Sequence, residues 1–352
     1  MIPREFLRGN EALALGALKA GLNAFFGYPI TPSSEIPETL SREYGKPRFP
    51  EFKAFLQSAS ELEAVNMAIG AASTGAKVMM ATSGPGFSLK QEGISYAAGM
   101  ELPMLIVDIN RSGPGLGNLG PEQSDYFQAT KGGGHGGYRN IVIAPNSVQE
   151  MATFPGWGFS LAFKYRNPVV ILADAFLGEL KEDIVFPKIS TERYDSSWAT
   201  TGAVGNQRHL LISLNMELEN QSNHLEHLET KYKQIDKLES RFESYLLDDA
   251  EVVLVSFGIV SRVCLEAINK LRERGSKVGL FRPTTLSPFP SEQLRDLTNG
   301  RRVLVVELNM GQMLYDVKLA VNQPKVDFLR KFGGLLPTSD EIVKEVSKII
   351  GN

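Results

Sequence analysis

Residues equipped for chemistry gather in four stretches of the first 140 positions. In Gly27-Tyr28-Pro29-Ile30-Thr31-Pro32-Ser33-Ser34, hydroxyl and proline residues follow a short apolar run and lead into a helical pattern. The free N–H groups of a helix start suit an anion such as a carboxylate or phosphate. The plainer reading is an N-cap with a proline-stiffened entry. In the second stretch, Glu61 stands nine residues ahead of Gly70, and the apolar run 77–82 ends in Ser83-Gly84-Pro85-Gly86. A Gly-Pro-Gly turn lets backbone approach a ligand closely. Glu61 also reads as a first-turn acid beside a helix dipole. Ser60 and Glu63, however, already have capping-box spacing, which leaves Glu61 without an obvious structural task.

The third stretch, Asn110-Arg111-Ser112-Gly113-Pro114-Gly115-Leu116-Gly117, follows a strongly apolar run. An arginine in a glycine-rich loop at a strand end suits bidentate binding of a carboxylate, and an ordinary surface loop reads equally well. The fourth, Thr130-Lys131-Gly132-Gly133-Gly134-His135-Gly136-Gly137-Tyr138-Arg139, surrounds one histidine with glycines. It reads as a backbone packed close to a ligand or partner, or as a flexible loop.

Strands and helices must place these stretches. The patterning predicts strands over 24–28, 77–82, 103–110, 141–144 and 168–173. Helices are expected from a cap at Asn10, near Glu35, from Ser60 to about Gly75, and over 88–100 and 147–164. Such alternation points to βαβ units and a mostly parallel sheet, where ligands bind beyond the carboxyl ends of the strands. From about Ile189 the character changes. Residues 215–249 are polar and charge-rich, with leucines at irregular helical spacing, and read as a connecting helix. His224 and His227 on it read as a solvated face, not a metal site, for want of further clustered ligands. A second alternating block follows, with strands over 251–257, 277–281 and 302–308 and helices over 261–274, 312–321 and from Thr338. The expected organisation is residues 1–188, a helical connecting segment 189–248, and residues 249–352.

Composition narrows the function. The 352 residues are 43% hydrophobic and 22% charged, which is ordinary globular usage. Lys+Arg 37 against Asp+Glu 40 gives a net charge of −3, which argues against nucleic acid as the main partner. Cys264 is the single cysteine, so no disulfide framework, Cys-based zinc site or iron–sulfur cluster is built from this chain; a buried structural thiol is expected. No run approaches the roughly 18 apolar residues that span a bilayer. The charged start does not read as a secretory signal, so a cytoplasmic protein without membrane contact is the expectation. Neither Gly-x-Gly-x-x-Gly after a strand nor the Gly-Lys-Ser/Thr of a P-loop is present, which disfavours a stand-alone nucleotide-binding enzyme.

Together the motifs resemble a known family. Glu61, nine residues ahead of Gly70 and followed by Thr82-Ser83-Gly84-Pro85-Gly86, resembles the pyrimidine-binding domain of thiamine diphosphate enzymes. Residues 27–34, 90–96, 113–117 and 123–130, with the glycine loop after them, resemble the alpha subunit of 2-oxoacid:ferredoxin oxidoreductases, with the 2-oxoisovalerate (branched-chain) type most similar. Residues 281–290 and 306–313 resemble that family's transketolase C-terminal-like domain, so the likeness spans nearly the whole chain. It implies an α/β fold, with a thiamine diphosphate pyrimidine-binding-type parallel sheet domain followed by a transketolase C-terminal-like α/β domain.

The resemblance further implies oxidative decarboxylation of a 2-oxoacid to an acyl-coenzyme A. Two electrons then leave one at a time through iron–sulfur clusters to ferredoxin, in an oxygen-poor setting. By the same likeness, Glu61 hydrogen-bonds the aminopyrimidine of thiamine diphosphate, while Arg111 and Thr31 hold the substrate's carboxylate and carbonyl oxygen. Tyr28, Pro29, Ile30, Ser83, Gly84 and Pro85 face the cofactor, and Asn118 and His135 line the site. The Gly-Asp-Gly…Asn motif for metal and diphosphate is absent, as is any Cys-x-x-Cys. The cofactor is thus expected to be shared with a beta subunit carrying Mg2+, with the clusters on partner subunits, a gamma and a ferredoxin-like subunit among them. A 2-oxoglutarate-type alpha subunit stays open as an alternative, because a branched alkyl group needs an apolar wall and a second carboxylate an extra cation. A non-catalytic assembly scaffold of the same fold is a further one.

Overall fold

The structure, a computed structural model, describes residues 4–186, 194–202, 205, 207–321 and 326–351. The first half runs β1 (Glu5–Arg8), α1 (Gly9–Lys19), β2 (Ala24–Gly27), α2 (Glu35–Glu43), β3 (Ala54–Gln57), α3 (Glu61–Ser73), β4 (Val78–Thr82), α4 (Pro85–Gly99) and β5 (Met104–Asn110). It continues with α5 (Tyr126–Thr130), β6 (Ile141–Ile143), α6 (Val148–Tyr165), β7 (Pro168–Asp174), α7 (Ala175–Glu179) and β8 (Lys181–Ile184). After α8 (Leu218–Glu239) come β9 (Phe242–Tyr245), β10 (Val252–Val255), α9 (Gly258–Glu273), β11 (Val278–Pro283), β12 (Thr285–Ser287), α10 (Ser291–Thr298) and β13 (Arg302–Glu307). The chain closes with α11 (Gln312–Ala320), β14 (Asp327–Arg330) and α12 (Ser339–Gly351).

Seven strands form the larger sheet in the order β12-β6-β7-β5-β4-β2-β3. All pairings in it are parallel except that of β12 with β6. The central strands β4, β5 and β7 are buried at every position, which explains their unbroken apolar runs: both faces of a parallel sheet are covered by helices. A five-stranded sheet, β14-β13-β10-β11-β9, has its own helices, with β9 antiparallel at one edge. Cys264 is fully buried on α9, and burial pushes its thiol up to about 12.

Four local expectations change. Asn10 does not cap α1 but lies inside it, fully buried, because Gly9 opens the helix where it crosses α7: a Cβ there would come within 2.1 Å of the Leu177 carbonyl oxygen. Instead Asn10 Nδ2 donates to the Pro32 carbonyl at 2.9 Å and pins the turn after β2. Helix α4 starts at Pro85 rather than Ser88, since proline at the first helical position costs no hydrogen bond. The connecting helix is shorter than 215–249, because the chain turns at Ser240 into β9, which pairs with β11. His224 and His227 do not face solvent alone; their ring nitrogens meet the Gly99 carbonyl at 2.8 Å and Glu101 Oε1 at 3.0 Å, docking α8 onto the end of α4. The expected boundary at 188/189 lies outside the described residues.

The two sheets meet through a polar seam absent from the sequence reading. Strand β12 leaves the later half of the chain to extend the first sheet. Arg282 is 2% exposed and donates to both oxygens of Glu150, to Glu243 and to the Ala144 carbonyl. Gln123 pairs both ends of its amide across the seam, its Nε2 donating to the Phe257 carbonyl and its Oε1 accepting from the Leu308 N–H, each at 3.0 Å. Tyr126 and Lys131 both donate to Asp316 on α11.

Candidate active site

The carboxyl ends of β2, β4 and β5 bring three of the four stretches together. Ser60 caps α3 by accepting from the Glu63 N–H, and Glu63 returns a bond to the Ala59 N–H. That arrangement leaves Glu61 at the first helical position, 5% exposed, with no hydrogen bond to any other described residue. Its neighbour is the first turn of α4. A Cβ at Gly86 would lie 2.6 Å from Glu61 Oε1 and 2.3 Å from Thr82 Oγ1, so only glycine allows this approach. Gly84 precedes it with φ +44°, a backbone state that glycine adopts readily. The hydroxyls of Thr82 and Ser83 are buried without a partner.

Arg111 closes the other side. It is 9% exposed; Nη1 donates to the Thr31 carbonyl at 2.7 Å and Nη2 to the Leu116 carbonyl at 3.2 Å, while Nε is buried and unpartnered. Its side chain lies 3.6 Å from where a Gly84 Cβ would sit. Thr31 itself is exposed, as are Tyr28 and Pro29; Ile30 is half-buried and accepts from the Ser33 N–H and hydroxyl. Gly84, Pro85, Arg111 and the 112–116 loop form one wall of a cavity of about 790 Å³, and Asn309, Met310 and Gln312 form another. Leu89, Leu116 and Met310 supply its apolar surface, and Arg111 is the sole cation among its lining residues, beside Glu122 and Asp125.

A buried acid network beneath this wall escaped sequence reading. Asp108 accepts from the Gly84 N–H at 3.3 Å, Asn110 donates to both Asp108 and Asp125, and Glu122 accepts from the Gly113 N–H and the Ser124 hydroxyl. Burial, then the neighbouring Asp125 carboxyl, drives Asp108 well above the usual carboxylate range; burial brings Asp125 up to about 6. The pair therefore holds a proton at neutral pH more readily than ordinary carboxyls, and it fixes the Gly84 turn. The signal was there to read: Asp108 and Asn110 interrupt the apolar strand 103–110. Lys90 is likewise missed, although it falls on the same helical stripe as Phe87, Ile94 and Ala97 and is fully buried with them.

Two expected site residues lie elsewhere. The Asn118 amide is spent within the fold, Nδ2 donating to the distant Gly333 carbonyl and Oδ1 accepting from the Gly120 N–H. His135 is exposed on a different cavity, with Tyr96, Tyr138 and His224, and its carbonyl accepts from the Ser95 hydroxyl at 2.5 Å. The glycines around it let the loop pack on α4, since a Cβ at Gly134 would meet the Gln91 carbonyl oxygen at 2.4 Å.

The chain matches two family models: the thiamine diphosphate-binding domain of pyruvate flavodoxin/ferredoxin oxidoreductases over residues 15–246, and core domain II of pyruvate:ferredoxin oxidoreductase over residues 250–342. It is 48% identical to the ketoisovalerate oxidoreductase subunit VorB of Methanothermobacter marburgensis, over 99% of this chain and 98% of that one. It is 36% identical to the 2-oxoglutarate synthase subunit KorA of Methanocaldococcus jannaschii, over 97% and 99%. Among solved structures, 2-oxoglutarate:ferredoxin oxidoreductase from Magnetococcus marinus, with 2-oxoglutarate, coenzyme A and succinyl-CoA bound, superposes with a TM-score of 0.89 at 28% identity. That match covers 99% of this chain, which spans 65% of the solved one. A split-gene transketolase shares the fold, with a TM-score of 0.61 at 13% identity. These matches settle the family: the chain belongs to the 2-oxoacid:ferredoxin oxidoreductases, as an alpha-type subunit with its thiamine diphosphate-binding and core II domains.

Proposed function

We propose that this chain is the catalytic alpha subunit of a complex that oxidatively decarboxylates a branched-chain 2-oxoacid such as 2-oxoisovalerate, forming acyl-coenzyme A and reducing ferredoxin. The observation that carries it is Glu61: a carboxylate buried with no hydrogen-bond partner, at a helix start, against a glycine that leaves it open. Its surroundings fit thiamine diphosphate, because a largely buried carboxyl without a protein hydrogen-bond partner is available to the ring nitrogen of an aminopyrimidine. Thiamine diphosphate, when bound, supplies the electron sink that lets a 2-oxoacid lose carbon dioxide. Glu61 holds a proton at the ring nitrogen. Arg111, steadied by the Thr31 and Leu116 carbonyls, offers its remaining N–H groups to the substrate carboxylate, and the exposed Thr31 hydroxyl donates to the carbonyl oxygen where negative charge develops.

The lining of the cavity beside Arg111 supports the branched-chain choice. Leu89, Leu116 and Met310 provide an apolar wall, and among the described lining residues no second cation stands beside Arg111 for the distal carboxylate of 2-oxoglutarate. The 48% identity to a ketoisovalerate oxidoreductase subunit supports the same choice. The missing diphosphate and cluster motifs call for a beta subunit with Mg2+ and for cluster-bearing gamma and ferredoxin-like subunits.

Anaerobic reduction of a viologen dye by the native complex tests this, with coenzyme A and a panel of 2-oxoisovalerate, pyruvate and 2-oxoglutarate. Reduction led by 2-oxoisovalerate is the expected result. Preference for 2-oxoglutarate moves the substrate to the KorA type. No reduction by a complex holding thiamine diphosphate and iron leaves the assembly-scaffold reading.

A further inference from the structure

The loop from β13 into α11 holds one exposed thioether on a backbone tied down on both flanks. Asn309 is 1% exposed; its Oδ1 accepts from the Gly311 and Gln312 N–H groups at 2.7 and 3.0 Å, and its Nδ2 donates to the Gln123 carbonyl at 2.8 Å. Gln312 donates from Nε2 to the Ser124 carbonyl at 2.7 Å, and its Oε1 accepts from the Phe127 N–H at 2.8 Å. The buried Glu307 carboxylate accepts from the Met313 and Leu314 N–H groups and fixes the start of α11. Asn309 and Gln312 thus bind this loop of the second domain to the 123–127 segment of the first. Between them Met310 takes no part in the network and is 72% exposed.

A large apolar side chain held out in water calls for something to cover it. Met310 lines the cavity of about 790 Å³ beside Arg111, together with Leu89 and Leu116. The Leu116 carbonyl accepts from Arg111 Nη2, so the position of that side chain is tied to the guanidinium. Met310 has no such bond to Arg111, and its pinned backbone cannot withdraw. A ligand with its carboxylate on Arg111 therefore meets, on the wall supplied by the second domain, a fixed apolar contact for whatever extends beyond its carbonyl. Methionine is unbranched, flexible and polarizable, so it moulds itself to a branched alkyl group and offers nothing to a charged one.

We propose that Met310 is a specificity-determining residue for the acyl group, the contact by which the second domain selects the side chain of the 2-oxoacid. The inference rests on the reading of Arg111 and of the substrate given above. It gives the second domain a share in the site: the first domain holds the carboxylate, and the second reads the alkyl end.

Steady-state dye reduction by the assembled complex tests this, with kcat and KM resolved for 2-oxoisovalerate, pyruvate and 2-oxoglutarate. In Met310→Ala, kcat/KM for 2-oxoisovalerate relative to pyruvate, which presents only a methyl group, is expected to fall about 10–200-fold, the range that hydrocarbon contacts give in an apolar pocket. The loss should fall chiefly on KM, because the alkyl group is held alike before and during the reaction. Isovalerate, which carries the carboxylate and the branch but no keto carbon to react, should inhibit this variant more weakly by a similar factor. Met310→Lys should favour 2-oxoglutarate over 2-oxoisovalerate more than Met310→Gln does, a side chain of similar length without charge. Leu319→Ala, at a position 83% exposed on α11 and outside the cavity's lining, should keep the wild-type ratios.

A ratio of 2-oxoisovalerate to pyruvate in Met310→Ala equal to that of the wild type overturns the proposal and leaves the function proposed above standing. A fall in both substrates by the same factor counts the same way, since it shows damage without selection. If the alanine variant fails to assemble, Met310→Gln decides in its place, and its ratio must fall as well. A wild-type complex that holds thiamine diphosphate and iron, yet reduces dye with none of the three 2-oxoacids, removes that function and the proposal with it.

Discussion

Arg282 and Lys90 are equally well buried cations with opposite surroundings. Arg282 meets two carboxylates and a carbonyl, and only its Nε is left over. Lys90 meets nothing within hydrogen-bond distance. Their neighbourhoods differ in the same way. Across the seam between the sheets, both the nitrogen and the oxygen of the Gln123 amide are paired, and Asp316 takes bonds from both Tyr126 and Lys131. Around the Gly84–Gly86 turn, Thr82, Ser83, Lys90 and Arg111 all keep buried polar atoms without partners. Buried polar groups that exist for assembly are paired, because an unpaired one costs roughly 1–3 kcal/mol. A cluster of unpaired ones, at the carboxyl edge of a parallel sheet, marks where the fold has given up stability for a ligand.

The contrast can be broken at either end. Glu61→Gln keeps the shape of the unpaired region and removes its acid, so dye reduction by the complex should fall about 10²–10⁴-fold. The unfolding midpoint of the chain should fall only modestly, since no native hydrogen bond is lost and only the attraction of Glu61 to the buried Lys90 goes. A variant that loses stability but keeps its rate would make Glu61 a structural residue. Arg282→Met removes the paired cation and leaves the largely buried Glu150 with only the Asn146 N–H, while Glu243 stays solvated. A loss of about 3 kcal/mol in urea unfolding is expected, as for other broken buried ion pairs. Stability equal to the wild type would erase the distinction between the two regions.

Gly86→Ala sharpens the comparison from the packing side. Its Cβ would need the space now held by Thr82 Oγ1 and Glu61 Oε1, 2.3 and 2.6 Å away. Helix propensity alone favours alanine by about 1 kcal/mol, so any net loss measures the clash. A loss of about 1–3 kcal/mol, typical of overpacking, should accompany weaker thiamine diphosphate binding, because Glu61 must swing aside. Unchanged binding would show that Glu61 is not confined by the turn.

The same contrast explains what could be read from the sequence. The central strands and their helices are legible because burial on both faces writes a continuous apolar run, and Ser60 with Glu63 writes a capping box. Thr31 and Arg111 stand out because each follows a strand beside glycine or proline, and Glu61 because the Ser60–Glu63 cap leaves it spare at the helix start. The strand at Thr285–Ser287 is not, because three residues pairing with a distant edge leave no periodicity. Nor is the spending of Asn118 on Gly333, 215 positions away, or the removal of His135 to another cavity, since both depend on contacts that only the folded chain makes. Lys90 lay between these cases. Its place in an apolar stripe was visible, and its lack of a hydrogen-bond partner shows only in the folded chain.

The smallest expected effect separates the acids beneath the Gly84 turn from ordinary surface carboxyls. Burial lifts Asp125 to about 6 and Asp108 well above the usual range, whereas both titrate near the ordinary 3.8 once unfolded. The folded chain thus binds more protons than the unfolded chain between these values. The stability this contributes is complete below the unfolded pKa and is lost as pH rises through the folded one. Unfolding free energy should therefore decline from about pH 4 to about pH 6 by on the order of 1–2 kcal/mol, beyond what the other carboxyls impose. Asp125→Asn keeps an oxygen to accept from Asn110 Nδ2 and removes one of the two titrating groups, so the slope of denaturant midpoints across that window should lessen, leaving the part due to Asp108. A slope unchanged by the substitution would place the proton elsewhere. The fixed geometry of Gly84 would then rest on the Asp108 hydrogen bond alone, with no proton shared between the two carboxyls.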